Sequence, residues 1–168
     1  MNAMAPEPAE ILVIDDEADA LKSTTAVLQA AGHIVHSVSE RIAALRVARR
    51  CALDLVICDV NLAGNSGLEL TRELKQLPGM QDVPVMFISR TQLPDIIRRS
   101  HDAGAAYYLR KPLDPEVLTE LVSKALWLPH LVRAQVTRRD EPLRAVPPPQ
   151  VRTSPRVAAV QGIQLPLA

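Results

Sequence analysis

Five residues of this chain have the types and positions to do chemistry together. Asp15 and Asp16 follow the apolar run Ile11-Leu12-Val13-Ile14, and Asp59 ends a second run, Leu55-Val56-Ile57-Cys58. Ser89 and Lys111 close two further apolar stretches. Carboxylates gathered at one place repel one another unless a cation or phosphate chemistry needs them. A hard divalent cation such as Mg²⁺ takes oxygen ligands in a near-octahedral shell and keeps several waters. Two carboxylates and a backbone carbonyl can supply the protein's share of that shell. An aspartate carboxylate can also attack phosphorus and form an aspartyl phosphate. The resulting dianion needs positive charge and donors, which the cation, the Lys111 ammonium and the Ser89 hydroxyl provide.

Positioning these groups requires a sheet whose strands end together. Strand-like segments at 11–15, 33–38, 53–58, 84–89 and 105–110 alternate with helix-like ones. Leu21, Thr24, Thr25 and Leu28 mark one helical face, with Gly32 as its C-terminal cap. A weaker pattern runs over 40–50 through Ala44, Leu45 and Ala48. Leu70, Leu74 and Leu77 line a third helix, ended by Pro78-Gly79. Ile96, Ile97 and Ala103 predict a fourth, followed by Gly104. Val117, Leu118, Leu121, Val122 and Ala125 give the clearest stripe, with Asp114 as N-cap and Pro115 at the first helical position. Alternating βα units predict an α/β fold, a doubly wound five-stranded parallel sheet with helices on both faces. Right-handed crossovers favour the flavodoxin-like strand order 2-1-3-4-5. That order sets the first and third strands side by side at the switch point, so Asp15, Asp16 and Asp59 converge at the carboxyl end.

Composition frames the rest. The 168 residues suffice for one well-buried domain over 9–126 and an appendage over 127–168. The formal net charge of +0 hides an asymmetry: 13 Lys/Arg against 17 Asp/Glu up to residue 126, then 6 against 2. Neither half compels nucleic-acid binding. Cys51 and Cys58 have no metal-type spacing and read as free, buried thiols of a reducing compartment. His33, His36, His101 and His130 show no metal-ligand spacing either, and read as surface or packing residues. No apolar run approaches the roughly 18 residues a bilayer span needs, and the opening segment, without a basic start or an apolar core, is not expected to be a signal peptide. A cytoplasmic protein is expected. The segment 127–168 holds seven of the fourteen prolines, including Pro147-Pro148-Pro149. The fifth helix either runs on through Trp127 or pauses at Pro129, and a poorly ordered tail is expected beyond it. This segment is too short and proline-broken for a helix-turn-helix output domain.

Order and spacing together make the chain resemble a response-regulator receiver domain, the phospho-acceptor module of two-component signalling. The matching stretches are Ile11–Glu17 (ILVIDDE), Leu55–Leu70 (LVICDVNLAGNSGLEL), Val83–Ser89 (VPVMFIS) and Ala103–Leu113 (AGAAYYLRKPL). The resemblance covers about three quarters of the chain, roughly residues 9–126. It implies that Asp59 is the phospho-acceptor and that Asp15 and Asp16 join it in a Mg²⁺ pocket. It further implies that Asn61 lends a backbone carbonyl to the metal, that Ser89 follows the phosphoryl group and that Lys111 pairs with it. Tyr108 matches the aromatic whose rotamer tracks phosphorylation, and the Lys111–Pro112 bond is often cis in such domains. The implied protein is a stand-alone signalling switch rather than an enzyme. It would catalyse its own phosphorylation from a histidine kinase or phosphotransfer protein, and its slow dephosphorylation. Its output would be protein contacts of the fourth helix, fifth strand and fifth helix, a face that could also dimerise.

The chain departs from the family pattern beside Asp59. Ala63 stands where proline is usual, Asn65 where a larger apolar residue is usual, and Arg90 where a small residue is usual. Arg90 either leans over the site, slowing or reshaping access to Asp59, or points to solvent. These departures are what support the alternative function, a phosphorylation-independent docking module that keeps the fold. A basic tail acting as effector on nucleic acid or an acidic surface has weak support, since its six arginines lack aromatic interleaving beyond Trp127. A haloacid-dehalogenase-like phosphatase needs a second aspartate two residues after the first, where this chain has Asn61. Singly, each residue also has a plain role: Asp15-Asp16 as a helix cap, Lys111-Pro112 as a structural dipeptide, and Tyr107 and Tyr108 as packing.

Overall fold

The computed structural model describes residues 8–90 and 94–139. The central strands are buried along their whole length and pair in parallel, because helices cover both faces of their sheet. In chain order the strands are β1 (Glu10–Ile14), β2 (Ile34–Val38), β3 (Leu55–Asp59), the two-residue β4 (Asn61–Leu62) and β5 (Asn65–Ser66), β6 (Val85–Ser89) and β7 (Tyr107–Arg110). The helices are α1 (Ala18–Ala30), α2 (Arg41–Arg50), α3 (Gly67–Lys75), α4 (Pro94–Asp102) and α5 (Pro115–Arg139). The five longer strands run parallel in the order β2-β1-β3-β6-β7. Counted without the short pair, that is the expected 2-1-3-4-5.

Period-2 alternation divides the core into two layers. Leu12 and Ile14 of β1, Val56 and Cys58 of β3 and Phe87 of β6 pack with Ala44, Leu45, Leu70, Leu74 and Ile96, so α2, α3 and α4 share one face. Ile11, Val13, Ile57, Met86 and Ile88 point the other way and meet Leu28, Leu118, Val122 and Ala125 of α1 and α5. Fully burying one such side chain contributes about 1.5–3 kcal/mol.

Local signals set the element ends. Gly32 takes a φ of 91° just past α1, and the His33 N–H returns to Leu28 O at 3.1 Å, which starts β2 one residue later than periodicity suggests. The third helix stops at Lys75, so Leu77 packs on the core from the following turn. Asp114 Oδ1 accepts the N–H groups of Glu116 (2.9 Å) and Val117 (3.1 Å), the N-cap read from the sequence. The ribbon β4–β5 was not anticipated: it is antiparallel and turns through Gly64 at φ 72°. The helix α5 runs on past Pro129 to Arg139, although a proline there donates no backbone hydrogen bond. The tail expected to be poorly ordered beyond Pro129 is helix over 130–139 instead, and the rest of it, from residue 140 onward, lies outside the described residues. Among the described residues no helix is long and apolar enough to cross a membrane.

Candidate functional site

Parallel register brings the chemistry-bearing ends together. Ile14 of β1 aligns with Cys58 of β3, and Asp59 aligns with Ile88 of β6. Asp15, Asp59 and Ser89 therefore leave three neighbouring strands at one edge. The Lys111 N–H donates to Ser89 O at 2.9 Å, which fixes the lysine just beyond β7 at the same edge. One carboxylate oxygen each of Asp15, Asp16 and Asp59 lies within 4.8 Å of the other two. Asp15 is wholly buried and Asp59 nearly so, whereas Asp16 is exposed.

Lys111 bridges the two buried aspartates of this group. Its Nζ is 2.5 Å from Asp59 Oδ2, 2.7 Å from Asp15 Oδ2 and 3.5 Å from Glu17 Oε2. The second oxygen of each buried aspartate accepts a backbone N–H, from Glu17 to Asp15 Oδ1 (2.9 Å) and from Asn61 to Asp59 Oδ1 (2.8 Å). Asp15 thus binds the N–H of the α1 N-cap residue Glu17 rather than capping the helix itself. Burial pushes the Asp15 pKa above its ordinary value, against the pull of Lys111 and the Glu17 N–H, and the Asp59 charge adds to the rise. Burial alone would lower the Lys111 pKa, but its bonds to Asp15 and Asp59 outweigh this and raise it. The lysine is therefore a fixed positive charge rather than a proton donor.

Glu17 and Gly67, which the sequence did not single out, join Arg90 and Ala63 around the pocket. Glu17, present only as the end of the acidic motif, touches Lys111 and also binds Arg90 through its Oε1. Arg90 is 70% exposed along its side chain and pairs with this glutamate. Ala63, at the position where proline was expected, donates its N–H to Asp16 Oδ2 at 3.0 Å, a bond a proline could not make. Gly67 opens α3 so close to β3 that an added Cβ would lie 1.8 Å from Asp59 O. No local signal marks that contact, since Gly67 follows a polar turn like many glycines.

Ser89 is wholly buried at the end of β6, and Tyr108 is half-buried against the α2–α4 layer. Asn61 sits exposed in the ribbon, and the bond the structure gives it to the site is through its N–H. The Lys111–Pro112 peptide is cis. As a donor set, three carboxylates with oxygen atoms this close fit a hard dication. Asp15 Oδ2, buried and met only by Lys111 among the described residues, is an oxygen such an ion could take.

The family model for the response regulator receiver domain matches residues 11–123. Among curated proteins, the transcriptional regulatory protein ZraR of Klebsiella oxytoca is 31% identical over 134 residues, 80% of this chain and 30% of that protein. The DNA-binding response regulator MtrA of Mycolicibacterium paratuberculosis is 33% identical over 132 residues, 78% of this chain and 52% of that protein. The chain thus spans about a third to a half of the length of these relatives. Among solved structures, the Vibrio cholerae chemotaxis protein CheY4 superposes with a TM-score of 0.69 at 25% identity, covering 71% of this chain and 99% of that one. NtrX from Brucella abortus gives 0.72 at 28% identity, over 77% of this chain and 29% of that one.

Proposed function

Because the chain belongs to the response regulator receiver domain family, we propose that it accepts a phosphoryl group on Asp59 and switches its protein contacts in response. The observation that carries this reading is the Lys111 ammonium set between Asp15 and Asp59, at 2.7 and 2.5 Å, with Asp16 beside them. Each of the three carboxylates has a place in phosphoryl transfer on this reading, Asp59 as nucleophile and Asp15 and Asp16 as metal ligands.

In this mechanism an Asp59 oxygen attacks the phosphorus of a phosphohistidine or small phosphodonor. The bond from phosphorus to the donor breaks and the leaving group departs with its electron pair. Asp15, Asp16, Asp59 and the Asn61 carbonyl would hold Mg²⁺, which when bound neutralises charge on the phosphoryl oxygens. Lys111 exchanges its bond to the Asp59 carboxylate for one to the phosphoryl group, remaining charged throughout. The Ser89 hydroxyl follows the same group, and the half-buried Tyr108 moves with it. That shift biases an inactive/active equilibrium at α4, β7 and α5. Ile97 on α4 and Val117 on α5 are exposed apolar residues suited to a partner there. The partners are a histidine kinase or phosphotransfer protein upstream and a protein target downstream.

Intact mass after incubation with Mg²⁺ and acetyl phosphate tests the assignment. Wild type gains one phosphoryl group, and Asp59→Asn gains none. Label retained on that variant sinks the acceptor assignment, and an unlabelled, folded wild type that also refuses phosphohistidine donors favours the docking module.

Arg90 has a role in this scheme through Glu17. By holding Glu17 at the mouth, Arg90 narrows the approach of donor and water and draws Glu17 toward Lys111. Arg90→Ala therefore speeds both labelling and loss of label by a few-fold. The exposed pair is worth at most about 1 kcal/mol, so stability hardly changes. Unchanged rates in both directions would dispose of this role.

A further inference from the structure

A second cluster of ligand-type side chains lies at the far end of β1 from Asp15. Side chains two apart share a face of a strand, so Glu10 faces the α2–α4 layer with Leu12. Parallel register places His36 of β2 opposite Leu12, and its Nε2 lies 3.1 Å from Glu10 Oε1. Cys51 follows the last turn of α2, its N–H bonded to Val47 O, and packs half-buried against the same layer. The chain just after it is fastened to the start of β1 by two bonds, Asp54 N–H to Glu10 O (2.8 Å) and Glu10 N–H to Asp54 Oδ2 (2.9 Å). One ligand atom each of Glu10, His36 and Cys51 thus lies within 4.8 Å of the other two.

We propose that Glu10, His36 and Cys51 form a metal site for a borderline-soft divalent ion, Zn²⁺, separate from the carboxylate pocket. A thiolate, an imidazole and a carboxylate are three ligand types Zn²⁺ accepts together, and three protein ligands leave a fourth position for water. Bonds of about 2.0 Å in tetrahedral geometry separate nitrogen and oxygen ligands by roughly 3.3 Å, close to the present His36–Glu10 contact. Each ligand rests on a different backbone anchor: β1, the edge strand β2 and the loop after α2. A bound ion would therefore tie the sheet edge to the α2 layer. The all-carboxylate pocket at Asp59 suits a harder ion, which keeps the two sites chemically distinct.

Co²⁺, a spectroscopic stand-in for Zn²⁺, is titrated into the full chain with millimolar Mg²⁺ present to occupy the carboxylate pocket. Wild type and Asp59→Asn should each take one equivalent and develop a near-ultraviolet thiolate-to-cobalt band that Zn²⁺ abolishes. Cys58 cannot supply that thiolate, being fully buried with its thiol pKa raised by the burial. Cys51→Ser should lose the band, and His36→Gln should bind about tenfold or more weakly. Both variants should still label at Asp59, which shows that they fold. Absence of the band in wild type, or an equal band in Cys51→Ser, overturns the proposal.

Discussion

Lys111 shares one charge between two buried carboxylates, so the pocket holds more negative charge than its own cation offsets. Asp15 carries the cost, because its raised pKa means that ionising it is harder in the folded chain than in the unfolded one. Above its folded pKa the wild type bears that cost in full. Below the ordinary carboxylate value, where Asp15 is protonated in both states, the cost is gone. Asp15→Asn should therefore be more stable than wild type at pH 7 in the absence of Mg²⁺. The difference in denaturation midpoint should close as the pH falls through the carboxylate range. A variant less stable than wild type at pH 7 would show that the Lys111 ion pair outweighs the burial. On the proposed function the same excess of negative charge would attract a dication. Stability is given up at the residues to which the proposed function assigns the chemistry.

At the scale of elements, the site depends on how closely α3 approaches β3. The Gly67 N–H donates to Val60 O at 2.8 Å, and its Cα faces the Asp59 carbonyl. A side chain at 67 would meet backbone rather than a movable group, so either β3 or the start of α3 must shift. Gly67→Ala should destabilise the domain by about 1–3 kcal/mol, read as a lowered urea midpoint at unchanged slope. It should also slow labelling, because the displaced backbone carries Asp59. A midpoint within experimental error of wild type would mean that the ribbon β4–β5 absorbs the change. That ribbon is itself part of the pocket, since Ala63 ties it to Asp16. The loss of the usual proline thus substitutes a backbone donor for a stiff turn.

Over the whole molecule, what could be read beforehand follows the range of the forces involved. Apolar runs, the Asp114 cap and the glycine after α1 are local signals. They gave the βα alternation, nearly every element and the strand order, because handedness leaves few ways to wind such a chain. Strand ends are local too, so Asp15, Asp16, Asp59, Ser89 and Lys111 could be placed at one edge from the sequence alone. Contacts between loops were not legible. Arg90 meets Glu17 across 73 residues and Ala63 meets Asp16 across 47. Gly67 shows its need for smallness only against Asp59 O. Glu10, His36 and Cys51 lack any ligand spacing along the chain, yet register and the end of α2 bring them together. The sequence by itself determined which chemistry collects at the carboxyl edge of the sheet, because periodicity and strand ends are written in neighbouring residues. Tertiary structure alone decided what surrounds that chemistry and what gathers at the opposite end. Those contacts depend on register and loop path, and energy spread over the whole core fixes both.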